Sequence, residues 1–256
     1  MLKEFFINEH PRFLFHQFGL IHNIFNFIPV IAVILIYLNR DKIASIPKEK
    51  TWKILKITAI ILLVNMFIYT FGNLYFGSFD YKKDLPFHLC FIANYMFMYG
   101  CFFKKEWIFK FTIFLCFIGP IPAILWPDLV STIDNFNFWQ YVISHHFFLS
   151  MSFFSYYALG YHVEKKDYLK TFVLTNFLML IMYPFNLIFD TNYIFSTQIP
   201  DNVLELYPWL IHFPPMITLE VVGLSISGII YFVIIKRRNE ELEKKKLTNK
   251  KIKWYN

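Results

Sequence analysis

The stretch 20-LIHNIFNFIPVIAVILIYL-38 decides the class of fold. It contains no Lys, Arg, Asp or Glu, and as a helix it has the roughly 17–25 residues needed to cross a hydrocarbon layer of about 30 Å. Backbone groups in lipid must bond within their own structure, and runs of this length do so as helices. Similar stretches recur, and the sequence predicts an all-α bundle of seven transmembrane helices near 20–38, 54–72, 85–103, 108–126, 137–160, 169–190 and 209–235.

The composition of the whole chain agrees with this class. Hydrophobic residues make up 57% of the 256 residues and charged residues 17%, whereas soluble domains average about 45–50% and about 25%. This excess of apolar side chains excludes a soluble globular domain. The three cysteines lie in apolar stretches and are odd in number, so no disulfide framework is expected. The heavy use of Phe, Ile, Lys and Asn is typical of AT-rich genomes and indicates a bacterial source.

The basic residues set the orientation of the chain. Twenty-one of the 25 Lys and Arg residues follow the first, third and fifth predicted spans or lie in the tail. Because basic loops stay in the cytoplasm, the N-terminus is predicted outside and the C-terminus inside the cell membrane. The chain then divides into an outer or interfacial segment 1–19, a membrane domain 20–235 and a basic cytoplasmic tail 236–256. We interpret the tail as a membrane anchor and expect no nucleic-acid partner.

Polar residues of the spans concentrate toward the predicted outer side. Such groups are costly in a membrane and are kept mainly where they line a cavity or act chemically. The sequence therefore predicts one outward-facing polar cavity. The residues on that side include His22, His88, Cys90, His145, His146, Asn186, Asp190 and Asn192.

The segment 85-LPFHLC-90 places a thiol at the start of the third predicted span. Pro86 suits the first turn of a helix, so Cys90 is expected near the positive end of the helix dipole, which favours the thiolate. His88 is two residues away and points to the other side of the helix, so a base for Cys90 must come from another span. The segment 142-VISHHFFLS-150 supplies two candidates, His145 and His146, of which one is expected to face the cavity.

Glu220 is the acidic residue that lies well inside a predicted span. We expect its carboxyl group to meet a donor such as a histidine, an asparagine or a tyrosine. An interhelical clamp and a catalytic orienting role both fit that expectation. The sequence has no metal-binding motif of the HExxH or CxxC type, and we expect neither a metal nor another cofactor.

Several sequence boxes resemble those of the YwaF-type bacterial integral membrane proteins and their eukaryotic relative, transmembrane protein 164. The resemblance covers about residues 12–235. It includes the seven spans and the outer N-terminus. The boxes that carry it are 19-GLIHNI-24, the LPFHLC box, 124-ILWPDL-129, 143-ISH-145, Asn186 and 192-NYIF-195.

This resemblance implies a function, because the eukaryotic relative is a cysteine-dependent phospholipid acyltransferase. Cys90 then looks like the acyl-accepting nucleophile and His145 like its base, with membrane phospholipids as the substrate. Asn186 or Asn192 would donate a hydrogen bond to the oxyanion that such a reaction forms. Substrate-binding or supporting roles are expected for His22, His88, Ser144, Asn186, Asp190, Asn192, Tyr193 and Glu220. A small-solute transporter, a binding receptor and a non-catalytic scaffold are the alternatives.

Overall fold

The computed structural model describes residues 2–7, 12–130 and 132–240, and the elements within these ranges are all helices. The all-α prediction is therefore confirmed. Most of the basic tail, residues 241–256, lies outside the described residues, as do residues 1, 8–11 and 131. The α-helices are α1 (Leu2–Ile7), α2 (Leu20–Leu38), α3 (Arg40–Ala44), α4 (Lys48–Phe76), α5 (Leu89–Phe103), α6 (Glu106–Ile118), α7 (Pro120–Leu125), α8 (Phe136–Val142), α9 (Phe148–Leu159), α10 (Lys165–Phe189), α11 (Asp201–Leu206) and α12 (Pro215–Ile230).

Short helices of other types join some of these elements. A π-helix at Ile143–Phe147 links α8 to α9, so that one helical run extends from Phe136 to Leu159. A second π-helix, Tyr231–Ile235, continues α12. Two 3-10 helices, Tyr193–Phe195 and Pro208–His212, flank α11 in the connection between α10 and α12.

Within the described ranges, five helical segments are long and apolar enough to cross a membrane. They are Leu20–Leu38, Lys48–Phe76, Glu106–Leu125, Lys165–Phe189 and Pro215–Glu240. α5 is also apolar but has only 15 residues. The run Phe136–Leu159 has sufficient length, but it carries polar side chains along its middle. The structure thus supports a membrane protein with several spanning helices.

The protein core lies between α4, α5, α6 and α9. Leu62, Phe97, Phe114 and Phe148 are fully buried there. In contrast, α2, α10 and α12 expose many large aliphatic and aromatic side chains. A water-soluble monomer rarely leaves so much apolar surface uncovered, whereas lipid chains accept it.

The basic residues gather at one end of the bundle. Lys48 at the start of α4 pairs with Glu106 at the start of α6 (3.4 Å), and Lys110 pairs with Asp167 on α10 (3.8 Å). The Arg238 guanidinium lies over the Tyr156 ring, 3.9 Å from its centroid. We call this the basic end.

The N-terminal helix packs at the opposite end. The Phe6 ring stacks on Phe76 and on Phe136, each with centroids 4.9 Å apart. Gly72 provides the space, because a Cβ atom there would lie 2.2 Å from the Phe6 ring. Helix α1 therefore closes the end of α4 and the start of α8.

Candidate functional site

A cavity of about 510 Å³ runs through the bundle, with Tyr168 and Thr171 lining its part toward the basic end and His88 and the loop after α10 lining the other part. It lies between α5, α6, α7, the π-helix, α10 and α12, and its walls are mainly apolar and aromatic. Four titratable side chains that the sequence singled out line this one cavity: His88, Cys90, His145 and Glu220. An apolar cleft with a few converging polar groups is the usual form of a small-molecule site.

Cys90 lies in the first turn of α5. The helix begins at Leu89 with His88 as its N-cap, so the prediction that Pro86 occupies the first turn is wrong. Backbone N–H groups of Cys90 and Phe91 lie near the sulfur, and N–H groups of a first turn have no acceptor within their own helix. Two backbone N–H groups at the start of α5 therefore lie beside the thiol.

Gly119 allows another helix to approach this turn. A Cβ atom at Gly119 would lie 3.2 Å from the backbone nitrogen of Cys90 and 3.4 Å from its Cα atom. Such contacts are tighter than side chains normally make, so a larger residue would push the start of α7 away from α5. The junction of α6 and α7 thus forms the wall beside the thiol.

The π-helix determines where the two adjacent histidines point. His145 lines the cavity, and its Nδ1–H donates a hydrogen bond to the Tyr141 carbonyl oxygen (2.9 Å). A carbonyl accepts only, so a neutral His145 carries its proton on Nδ1 and keeps the lone pair on Nε2. No described residue hydrogen-bonds to that Nε2 atom, which leaves it available as a base.

His146 points toward α2 instead. Its Nε2 atom lies 3.3 Å from the Asn26 amide oxygen, and the Asn26 amide also contacts His22 (2.8 Å). His22 is held by its neighbours, because its Nδ1 accepts from the Phe18 N–H and its Nε2 lies 2.8 Å from the Ile124 carbonyl oxygen. The structure therefore separates His22 and His146 from the residues that line the cavity.

Asn94 links the thiol helix to the histidine helix. This fully buried side chain donates from Nδ2 to the carbonyl oxygens of Cys90 (2.8 Å) and of Ser144 (3.0 Å). Sequence reasoning did not single out Asn94, although it lies four residues after Cys90 and thus on the same face of α5. A polar residue at that spacing within an apolar span was the available signal.

Ser144 lies behind the cavity wall. Its hydroxyl oxygen accepts hydrogen bonds from the side-chain amides of Asn65 (3.1 Å) and Gln140 (2.9 Å). Together with Asn94, these residues form a buried polar network that joins α4, α5 and the π-helix. Such networks hold neighbouring helices at a defined position and rotation.

Asn186 and Asn192 do not line the cavity, and their amides bond within the loop that follows α10. Asn186 Nδ2 donates to the Tyr193 carbonyl and to the Ser196 hydroxyl (both 2.8 Å), while its oxygen accepts from the Tyr193 N–H (2.9 Å). Asn192 is likewise bonded to the segment that follows it, including the Gln198 carbonyl (2.8 Å). Both amides shape the loop after α10, in which Ile194 adopts a left-handed conformation (φ 58°).

The rest of this loop supports the site from outside. The buried Tyr193 ring packs edge-on against His88, with centroids 5.0 Å apart, and its hydroxyl accepts from the Leu85 N–H (3.1 Å). Asp190 is exposed and forms an ion pair with Lys82. The hydrogen bond from Lys82 lowers the pKa of Asp190, so this carboxylate is charged at neutral pH. Asp190 does not line the cavity.

Glu220 lines the cavity from α12. Within the described ranges, no donor lies at hydrogen-bonding distance from its carboxyl group, so the expected partner and the interhelical clamp are not formed. The described residues also include no group of three or more His, Cys, Asp and Glu side chains that could hold a metal ion.

Comparison with known proteins identifies one family. The model of the TMEM164 family matches residues 11–236, which is most of the chain. No curated protein and no solved structure gives a match.

Proposed function

The chain belongs to the TMEM164 family, and from this premise we propose that it is an integral membrane acyltransferase that acts on phospholipids, with Cys90 as nucleophile and His145 as its base. One observation carries the proposal: a thiol at a helix start and an imidazole with a free Nε2 line the same largely apolar cavity. Apolar walls suit acyl chains, and the two polar groups suit attack on an ester.

The proposed reaction has two steps. His145 Nε2 takes the thiol proton, and the Cys90 sulfur attacks the carbonyl carbon of a phospholipid ester. The C–O bond breaks, the proton passes from His145 to the departing lysolipid oxygen, and a thioester remains on Cys90. A second lipid then accepts the acyl group, the C–S bond breaks, and the thiol is regenerated.

The oxyanion formed in each step needs donors, and the first turn of α5 offers them. The N–H groups of Cys90 and Phe91 lie beside the sulfur, and donors fixed in advance at a developing charge are the strongest form of such stabilisation. These backbone groups replace Asn186 and Asn192 in the proposal, because the loop occupies both of those amides.

We extend the proposal to the position of the protein in the membrane. Seven spans with the N-terminus outside would place the basic end in the cytoplasm, as the positive-inside rule requires. The contacts of Lys48, Lys110 and Arg238 at one end of the bundle support this arrangement. The cavity would then open toward the outer leaflet of a bacterial cell membrane, where phospholipids reach it laterally. Cysteine labelling should find residues 44–48 inside and residues 195–203 outside; the reverse result would contradict the orientation.

Intact-mass analysis tests the enzyme itself. After incubation with phospholipid vesicles, the purified protein should carry an acyl adduct that hydroxylamine removes, and Cys90→Ala should lack both the adduct and the transfer of acyl groups to lysophospholipid. Cys101→Ala and Cys116→Ala are matched controls, because both thiols are buried away from the cavity, and they should keep the adduct. Full transfer by folded Cys90→Ala would refute the thioester mechanism.

A further inference from the structure

Glu220 lines the cavity, and its carboxyl group has no hydrogen-bonding partner among the described residues. It lies within α12, in the membrane domain, and no described donor is bonded to it. Polar groups inside a membrane are costly, and the usual compensation is a hydrogen bond to a neighbouring helix. Since no described side chain supplies that bond, the carboxyl group is open to a donor that enters the cavity, such as the hydroxyl group of a ligand.

Two glycine contacts give the depth of Glu220 relative to the thiol. Gly119 lies against the backbone of Cys90, and a Cβ atom at Gly223 of α12 would lie 3.3 Å from Ile118, the residue before Gly119. Glu220 is three residues from Gly223, or about 4.5 Å along α12 and away from the basic end. Gly119 lies one residue, or about 1.5 Å, farther from the basic end than Ile118. Along the bundle axis, Glu220 is therefore within about 3 Å of the level of Cys90.

The cavity therefore holds proton acceptors on two walls at the level of the proposed reaction. His145 belongs to the wall of α5 and the π-helix, where Asn94 ties its segment to Cys90. Glu220 belongs to α12 on another wall. Once Cys90 carries an acyl group, an incoming lipid has to occupy the space between this group and the other walls, including α12.

We propose that Glu220 is the base of the second step and binds the hydroxyl group of the acyl acceptor, a lipid alcohol such as a lysophospholipid. This inference rests on the proposed function. The acceptor hydroxyl donates a hydrogen bond to the Glu220 carboxylate, and its oxygen attacks the thioester carbon. The new C–O bond forms, the C–S bond breaks, and the hydroxyl proton moves to Glu220 and from there to the Cys90 thiolate. His145 then serves the first step and Glu220 the second.

Glu220→Gln separates the two steps, because glutamine keeps the shape and a hydrogen-bond acceptor but takes up no proton. The wild-type protein and the variant are loaded with acyl groups from phospholipid vesicles, and lysophospholipid is then added. Rapid-quench intact-mass analysis follows formation and decay of the Cys90 adduct. The variant should form the adduct at the wild-type rate, which also shows that it is folded, and should transfer the acyl group at least about 100-fold more slowly, so that the adduct accumulates.

The controls distinguish the possible outcomes. Glu205→Gln changes an exposed acidic residue that does not line the cavity, and it should transfer at the wild-type rate. If Glu220→Gln transfers normally while Glu220→Ala does not, Glu220 only positions the acceptor and the inference is overturned. Slower adduct formation by Glu220→Gln overturns it as well, since the residue would then act in the first step. If the wild-type protein forms no adduct, the proposed function itself fails and this inference with it.

Discussion

Replacing Asn94 by leucine should impair catalysis much more than folding, because this side chain ties the nucleophile helix to the segment that bears the base. The substitution removes the hydrogen bonds to the Cys90 and Ser144 carbonyl oxygens, 2.8 and 3.0 Å long. Hydrogen bonds between membrane helices average about 0.6 kcal/mol and those of soluble proteins about 1 kcal/mol. The two together should stabilise the fold by only about 1–2 kcal/mol. Leucine has the same number of side-chain heavy atoms in the same branched arrangement, so it leaves no empty cavity.

The effect on the reaction should be larger. A misplacement of about 1 Å between reacting groups costs on the order of 100-fold in rate, which corresponds to about 2.7 kcal/mol in the barrier. We therefore expect Asn94→Leu to form the acyl adduct about 100-fold more slowly, although most of the protein is folded.

Two measurements check this expectation. Unfolding in mixed detergent micelles gives the free energy of unfolding, and intact-mass kinetics give the rate of adduct formation. Thr112→Val is the matched control, since it removes one hydrogen bond of a buried side chain on α6 that does not line the cavity. Thr112→Val should lower the free energy of unfolding by a similar amount per hydrogen bond and should leave the rate of adduct formation unchanged. Adduct formation at the wild-type rate in Asn94→Leu would refute the positioning role.

Two further predictions follow from the cavity. His145→Ala should slow adduct formation by about 10²–10⁴-fold, whereas His146→Ala, whose ring faces α2, should slow it less than about tenfold; equal losses in both variants would contradict the assigned directions of the rings. Ser227 is buried at the part of the cavity nearer the basic end, so Ser227→Phe should reduce transfer of long acyl chains relative to short ones by about tenfold or more. Ser225→Phe, on the exposed face of α12, should leave the selectivity for acyl-chain length unchanged. A change of selectivity in Ser225→Phe but not in Ser227→Phe would show that the cavity does not hold the acyl chain.

Much of the fold follows from the sequence because membrane helices are local structures. Runs such as Leu20–Leu38 satisfy their own backbone hydrogen bonds, so length and apolarity predict them without knowledge of their neighbours. The start of α5 was predicted less well. Proline tolerates the first turn of a helix but does not require it, and here the helix begins three residues after Pro86.

The site was less predictable, since the roles of its residues depend on contacts between distant parts of the chain. The positions of Cys90 and His145 at the same side of the membrane could be inferred from the order of the spans. The sequence could not show that Asn186 donates both side-chain hydrogens to its own loop, because the folding of residues 191–196 determines these partners. Nor could one infer that Glu220 has no partner in the described part of the chain, because this depends on the residues that α5, α7 and α10 place opposite α12.

The π-helix at Ile143–Phe147 makes the number of residues in this helical run a constraint in its own right. A π-turn closes its hydrogen bonds over five residues instead of four, so it holds one residue more than an α-helical turn, and deleting one residue here would let the run continue as an ordinary α-helix. The flanks, with Gln140 before the turn and Phe148 in the core after it, would keep their contacts, whereas the turn that directs His145 into the cavity and His146 toward α2 would be lost. Homologous chains that keep the same chemistry should therefore conserve the number of residues between the positions of Gln140 and Phe148, even where the residues themselves differ. Natural variation in length should fall in the loops.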